Sequence, residues 1–167
     1  MKCRALFFAA IAGLLVAMAW AQAGKPAGLL TSADLKTIVP SSFFYAGQSA
    51  SVQLRNSAGI RTKENKYVLA GLVDTAGYAS DVAQKYQGFL ITEVKLKLGD
   101  SELAPGEYGF GFVNGKFVVT DVAADDVLSA PSTRDEQMKR PVPLKMVEEG
   151  GEYRLYAGRN YVSLHLD

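Results

Sequence analysis

The sequence predicts a mainly β protein, an antiparallel β-sandwich or partly closed β-barrel of seven to nine strands with two or three short helices. Three observations carry that expectation. Apolar and polar residues alternate over several stretches of strand length, turn pairs such as Asn-Gly and Gly-Asp recur between them, and helical spacing is confined to brief segments.

The chain opens with "MKCRALFFAAIAGLLVAMAWAQAG", where Lys2 and Arg4 precede an uncharged apolar run from Ala5 to Trp20. That is the order of a secretory signal peptide. Ala19-Trp20-Ala21 fits small-x-small cleavage, so the signal is assigned to 1–21 and the mature start to Gln22, with cleavage after Ala23 as the nearby alternative. A retained membrane anchor is the competing reading, because the run approaches the roughly 18 to 20 apolar residues of a spanning helix. The only cysteine, Cys3, precedes the apolar run, whereas a lipoprotein cysteine would follow it. The mature chain then has no cysteine and must hold itself together without disulfides. Periplasmic or secreted localisation follows, with no membrane insertion once the signal is removed.

About 146 residues remain, enough for one domain that buries roughly two-thirds of its unfolded surface. They divide into an N-terminal segment with a short helix (22–48) and a β-rich domain (49–167). Of the 18 basic residues, Lys2 and Arg4 fall in the signal, which leaves 16 against 17 acidic ones and a formal charge of −1. This balance gives no electrostatic case for nucleic acid or an anionic membrane as partner. There is no basic run, acidic tail, solenoid repeat or N-x-S/T site.

In order along the chain, Thr31 or Ser32 can cap a short helix over "ADLKTIV", which Pro40 stops. Val52 and Leu54 alternate with polar neighbours and Tyr67 to Val73 is an apolar run, which gives two strands around a polar loop near Lys63 to Asn65. "GYASDVAQKYQG" offers Ser80 as cap and Val82, Ala83 and Tyr86 at helical spacing. In "LITEVKLKL", Leu90, Val94, Leu96 and Leu98 share one parity and Glu93, Lys95 and Lys97 the other, as in a strand with one buried and one wet face. Gly99-Asp100 permits a tight reversal, Leu103 turns back to the core, and Pro105-Gly106 fits the centre of a type II turn.

"LAPGEYGFGFVNGKFVV" packs four glycines into ten positions. A phosphate loop would need a helix after the glycines. Here Asn114-Gly115 instead sets a two-residue hairpin with Phe112 opposite Phe117 and Phe110 opposite Val119. Tyr108, Phe110, Phe112, Phe117 and Val119 then form one apolar face, and Gly109 and Gly111 lie on the other, where glycine often marks the close approach of a backbone or a ligand.

Beyond the hairpin, 123–141 is the longest stretch without strand pattern, with a short helix near Arg134 to Lys139 suggested by the Thr133/Glu136 capping-box spacing. Pro141 and Pro143 bracket the next strand and suggest an edge. At the C-terminus a two-residue loop at Gly158-Arg159 sets Leu155 opposite Val162 and Tyr153 opposite Leu164, leaving Arg154, Tyr156, Tyr161 and Ser163 on the other face.

The stretch "VKLKLGDSELAPGEYGFGF" resembles the "L-P-A-G-x-Y" hairpin of many secreted bacterial β-sandwich domains, among them a family of uncharacterised secreted proteins, and is similar to hairpins of prealbumin-like modules. The shared pattern is L-x-x-G-x-Y over about 20 to 25 residues. This chain has Ala-Pro where the pattern has Pro-Ala. The resemblance implies a β-sandwich and no catalytic residue.

No residue pattern demands chemistry. His165 is the single histidine, and a metal site or triad would need partners the mature chain lacks. Asp121, Asp125 and Asp126 depart from the calcium-loop spacing, and no G-x-S-x-G elbow is present. No catalytic residue, metal or cofactor is therefore assigned. The leading reading is an exported cell-envelope binding or structural module that meets an unknown protein through the 123–141 loop or the terminal hairpin. Its candidate contacts are Arg134, Arg154, Tyr156, Arg159 and Tyr161, of types enriched at interface hot spots. One alternative is a carrier holding a small apolar ligand against Tyr108, Phe110, Phe112 and Phe117. A second is a hydrolase that uses two carboxylates converging in one cleft.

Overall fold

The computed structural model describes residues 26–166. The expected signal peptide at 1–21 and its cleavage point lie outside the described residues. Strands account for most of the chain: β1 (Gly28–Leu29), β2 (Ser42–Tyr45), β3 (Gln48–Arg61), β4 (Tyr67–Val73), β5 (Gly88–Thr92), β6 (Leu96–Leu98) and β7 (Ser101–Leu103) in the first part. β8 (Gly106–Val113), β9 (Lys116–Thr120), β10 (Asp126–Pro131), β11 (Thr133–Arg134), β12 (Val142–Glu149), β13 (Glu152–Gly158) and β14 (Asn160–Leu166) complete it. Two helices, α1 (Ser32–Ile38) and α2 (Ser80–Lys85), are the only ones among the described residues. The described residues form fourteen strands, more than the seven to nine expected: nine have five residues or more, and the other five are too short to show alternation in the sequence.

Two antiparallel sheets form a sandwich that does not close into a barrel. The first runs β1-β3-β4-β5-β8-β9-β10, with β2 paired to one end of β3. The second runs β12-β13-β14-β6-β7, with β11 paired to β14. Between the sheets lies an apolar core containing Ile60, Val68, Leu90, Leu96, Leu98, Phe110, Phe117, Leu155 and Leu164. A second core covers the outer face of the first sheet, where Leu35, Phe43, Tyr45 and Tyr86 from α1, β2 and the end of α2 meet Leu69, Val73 and Phe89. β4 and β5 therefore read as nearly continuous apolar runs because both of their faces are covered. Each fully buried Leu or Phe contributes on the order of 1.5–3 kcal/mol.

Several local expectations are met. Thr31 caps α1 in a complete capping box with Asp34. Asn114 and Gly115 have φ of 50° and 75°, the signs of a type I′ turn, and Phe112 faces Phe117 while Phe110 faces Val119. The terminal hairpin has the expected register, Leu155 with Val162 and Tyr153 with Leu164, with Gly158 at φ 63°. β12 is an edge strand and carries Pro143.

Other expectations need correction. "LITEVKLKL" is not one strand: the chain leaves the first sheet after Thr92 and joins the second at Leu96. The parity survives because Leu90 and Leu98 enter the same core from opposite sheets. Pro105-Gly106 is not a type II turn either. Gly106 does not have the positive φ such a turn requires and already begins β8, so this segment is a crossing between sheets. Tyr108 secures it by donating its hydroxyl proton to the Ala104 carbonyl at 3.0 Å, as in the tyrosine corner of β-sandwiches.

Ser80 is the first residue of α2, and its cap position is Ala79, which makes no side-chain cap bond. The 123–141 stretch contains β10, paired along β9, and no helix forms at 134–139. Thr133 and Arg134 pair with β14 instead, and Asp135 takes the capping role by accepting from the amides of Gln137 and Met138 in a turn.

Candidate functional site

The outer face of the second sheet is laid out in cross-strand rows. Lys145, Tyr156, Tyr161 and Thr133 form one row, and Val147, Arg154 and Ser163 the next. Glu149 and Glu152 form the third, and the His165 Nε2 lies 3.4 Å from a Glu152 oxygen. Arg154 links the rows. Its Nε donates to Glu152 at 3.0 Å, one Nη donates to Glu149 at 2.6 Å, and its guanidinium lies 4.9 Å from the centre of the Tyr161 ring. Ser163 also donates to Glu152. The hydrogen bond from Arg154 holds the Glu152 carboxyl below its ordinary range, and the same bond raises the Arg154 guanidinium further above neutrality.

The loop and the hairpin, which the sequence offers as separate contact regions, are joined here. Thr133 and Arg134 extend the sheet beside Tyr161 and Asn160. The Asp135 amide donates to the Arg159 carbonyl, Arg159 Nε donates to the Met138 carbonyl at 3.1 Å, and the Tyr156 hydroxyl donates to Asp135 at 3.3 Å. Tyr156 is 3% exposed as a result, sandwiched between Tyr161 and the Lys145 ammonium, and burial raises its pKa. Of the five candidate contacts, Arg134 is exposed, Arg154, Arg159 and Tyr161 are partly exposed, and Tyr156 packs beneath them.

The aromatic stripe lies elsewhere. Phe110 and Phe117 are fully buried and pack together at 5.3 Å between ring centres, with Phe112 edge-on to both and Tyr108 at the margin of the same core. These side chains fill the space between the sheets. Behind them, the alternate glycines have a structural partner: a Cβ on Gly111 would lie 2.6 Å from the Lys85 carbonyl oxygen of α2, and one on Gly109 2.5 Å from the Tyr45 ring. The close approach that these glycines signal is that of the α2 backbone and an aromatic ring.

In this second core Tyr45 and Tyr86 stack at 3.8 Å with Tyr78 edge-on to both. The Tyr45 hydroxyl is hydrogen-bonded to Thr120 at 2.6 Å, and Tyr78 donates to the backbone of Tyr45 and Gln48. The Tyr86 hydroxyl lies near that of Tyr78 but makes no hydrogen bond. Burial raises the pKa of all three phenols.

The acidic candidates are used locally. Asp121 accepts from the amides of Ala123 and Asp125 within its own turn, and Asp126 pairs with Lys85 at 2.7 Å. Among the described residues no group of three or more His, Cys, Asp or Glu could hold a metal ion, and no helix is long and apolar enough to cross a membrane. A feature the sequence reading missed is a cleft beside β3, where Gln53 to Asn56 leave the ladder. Its only sequence signal is the polar "QLRN" within an otherwise alternating strand. No family model, curated protein or solved structure matches the chain.

Proposed function

We propose that the protein is an exported, non-catalytic binding module of the cell envelope or its surroundings, and that it meets a protein partner through the outer face of the second sheet. One observation carries this reading. The outer face of the first sheet is roofed by α1, β2 and α2, whereas among the described residues that of the second is covered only at one margin, by the 133–138 segment. The open face presents Arg154, Tyr161, Arg134 and Arg159, already oriented by hydrogen bonds and ring contacts. Tyr and Arg side chains held in place in this way lose little conformational freedom on binding. Export is supported by the signal-peptide pattern of the first 21 residues.

The carrier alternative has less support, because Phe110 and Phe117 occupy the space its ligand would need. The hydrolase alternative needs a carboxyl with a raised pKa, and Glu152 is moved the other way.

A photo-crosslinking residue placed at Tyr161, with Val82 on the roof as control, tests the proposal in the producing cell. A discrete adduct from position 161 that weakens with Arg154→Ala is expected. Equal labelling from positions 161 and 82, or none from 161, would reject the open face as the contact surface.

A further inference from the structure

β3 leaves its partner between Val52 and Ser57, where the four residues 53–56 stand against a single residue of β4, Leu72. Bulges of this kind concentrate at sheet rims and beside binding sites. The bulge is fastened by its own side chains. Gln53 donates to the Val73 carbonyl, Asn56 donates to Gln53 at 2.8 Å, and Ser57 donates to the Leu54 carbonyl at 2.6 Å. β2 and β1 cover the two ends of β3 and leave the bulge on the rim between them.

Facing the bulge is α1, whose Ser32, Leu35 and Lys36 share one helix face at i, i+3 and i+4. The space between them is a cleft of about 580 Å³, within the range of small-molecule sites. Leu35 and Leu54 give it apolar walls, and Leu54 is 39% exposed although it sits in a strand. Lys36 and Arg55 add two positive charges, and neither forms an ion pair among the described residues. Among the described residues no acidic side chain lines the cleft. The amides of Gln53 and Asn56 are occupied by the bulge itself, so the groups left to meet a ligand are the two cations, the Ser32 hydroxyl and the two leucines.

We propose that this cleft binds a small amphiphilic anion, with its oxyanion head between Lys36 and Arg55 and its apolar stem along Leu35 and Leu54. The head is a carboxylate or a phosphate, since both offer the oxygens that an ammonium and a guanidinium recognise. The site lies on the first sheet, independent of the Tyr/Arg face, and goes beyond the function proposed above.

Titration of the purified full protein with octanoate, octyl phosphate and octanol, followed by the amide resonances of residues 53–57, tests the proposal. Saturable shifts are expected with at least one of the two anions, weakened about tenfold or more in the Lys36→Gln/Arg55→Gln double variant. Both replaced residues are exposed, so the fold should be retained, and the unchanged resonances of the terminal hairpin verify it. A preference for octanoate or for octyl phosphate would identify the head group. Leu54→Ser should weaken binding of the long anion more than that of acetate. The proposal is overturned by absence of saturation with both anions, by octanol binding as well as either anion, or by a double variant that binds like the parent.

Discussion

The outer faces of the two sheets have opposite fates. On the first, glycines at alternate positions let the backbone of α2 and the Tyr45 ring lie directly on the strands, and a second aromatic core grows there. On the second, Lys145, Arg154, Tyr161, Ser163 and Glu152 stand on the strands, where Arg154 and Ser163 hydrogen-bond Glu152 and the Lys145 and Arg154 cations lie over the Tyr156 and Tyr161 rings. Small residues invite a cover because a strand without side chains cannot exclude water by itself. Large amphipathic residues satisfy one another and leave the surface free for contact. The difference separates a face that serves stability from the one proposed for recognition.

The two faces should differ most in their response to substitution at Gly111. Gly111→Val would drive a side chain into the carbonyls of Gln84 and Lys85, and its loss of stability, about 3 kcal/mol, would be read by denaturant unfolding. Ser163→Val on the open face should cost about 1 kcal/mol or less. Equal losses at the two positions would mean that the roof is not packed as described.

Alkali should act on the roof next. Burial raises the pKa of Tyr45, Tyr78 and Tyr86 above the ordinary phenol value of 10.0. Their contribution is complete below that value and is lost as pH rises through the folded values. Phenolate absorbance from the roof should therefore appear together with loss of tertiary structure, and its appearance in a fully folded protein would contradict the packing.

A finer test compares two stacked rings. Tyr45→Phe removes the hydrogen bond to Thr120 and should cost about 1 kcal/mol, whereas Tyr86→Phe removes a hydroxyl without a partner and should be neutral or slightly stabilising. The smallest effect belongs to the open face. Because Glu152 is lowered from 4.5, its contribution is present above that pH and is lost as pH falls through the folded value. Arg154→Gln should flatten this acid dependence while changing neutral-pH stability little, as exposed ion pairs do.

How much of this could be read from the sequence depended on whether a local rule fixed the geometry. Phe112 opposite Phe117 and Tyr153 opposite Leu164 were legible because a two-residue loop and side-chain parity together leave one register. The break between Thr92 and Leu96 was not legible, since residues facing one core keep their parity even when the chain changes sheets. β10 was hidden by a register shift between Asp126 and Leu128 at the sheet edge, which disrupts its alternation. Leu54 looked like an inward strand residue, but the bulge turns it out to line the cleft. The union of Asp135 and Arg159 with the terminal hairpin depends on contacts between distant segments that no local pattern encodes.

The most direct test of the contrast between the two faces is hydroxyl-radical footprinting of the tyrosines, carried out on the purified protein and on the protein in its own cells. Tyr161 should react readily in isolation and be protected in the cell, with Tyr45 and Tyr86 protected in both. Tyr86 reacting as fast as Tyr161 in the purified protein, or Tyr161 equally reactive in both settings, would contradict it.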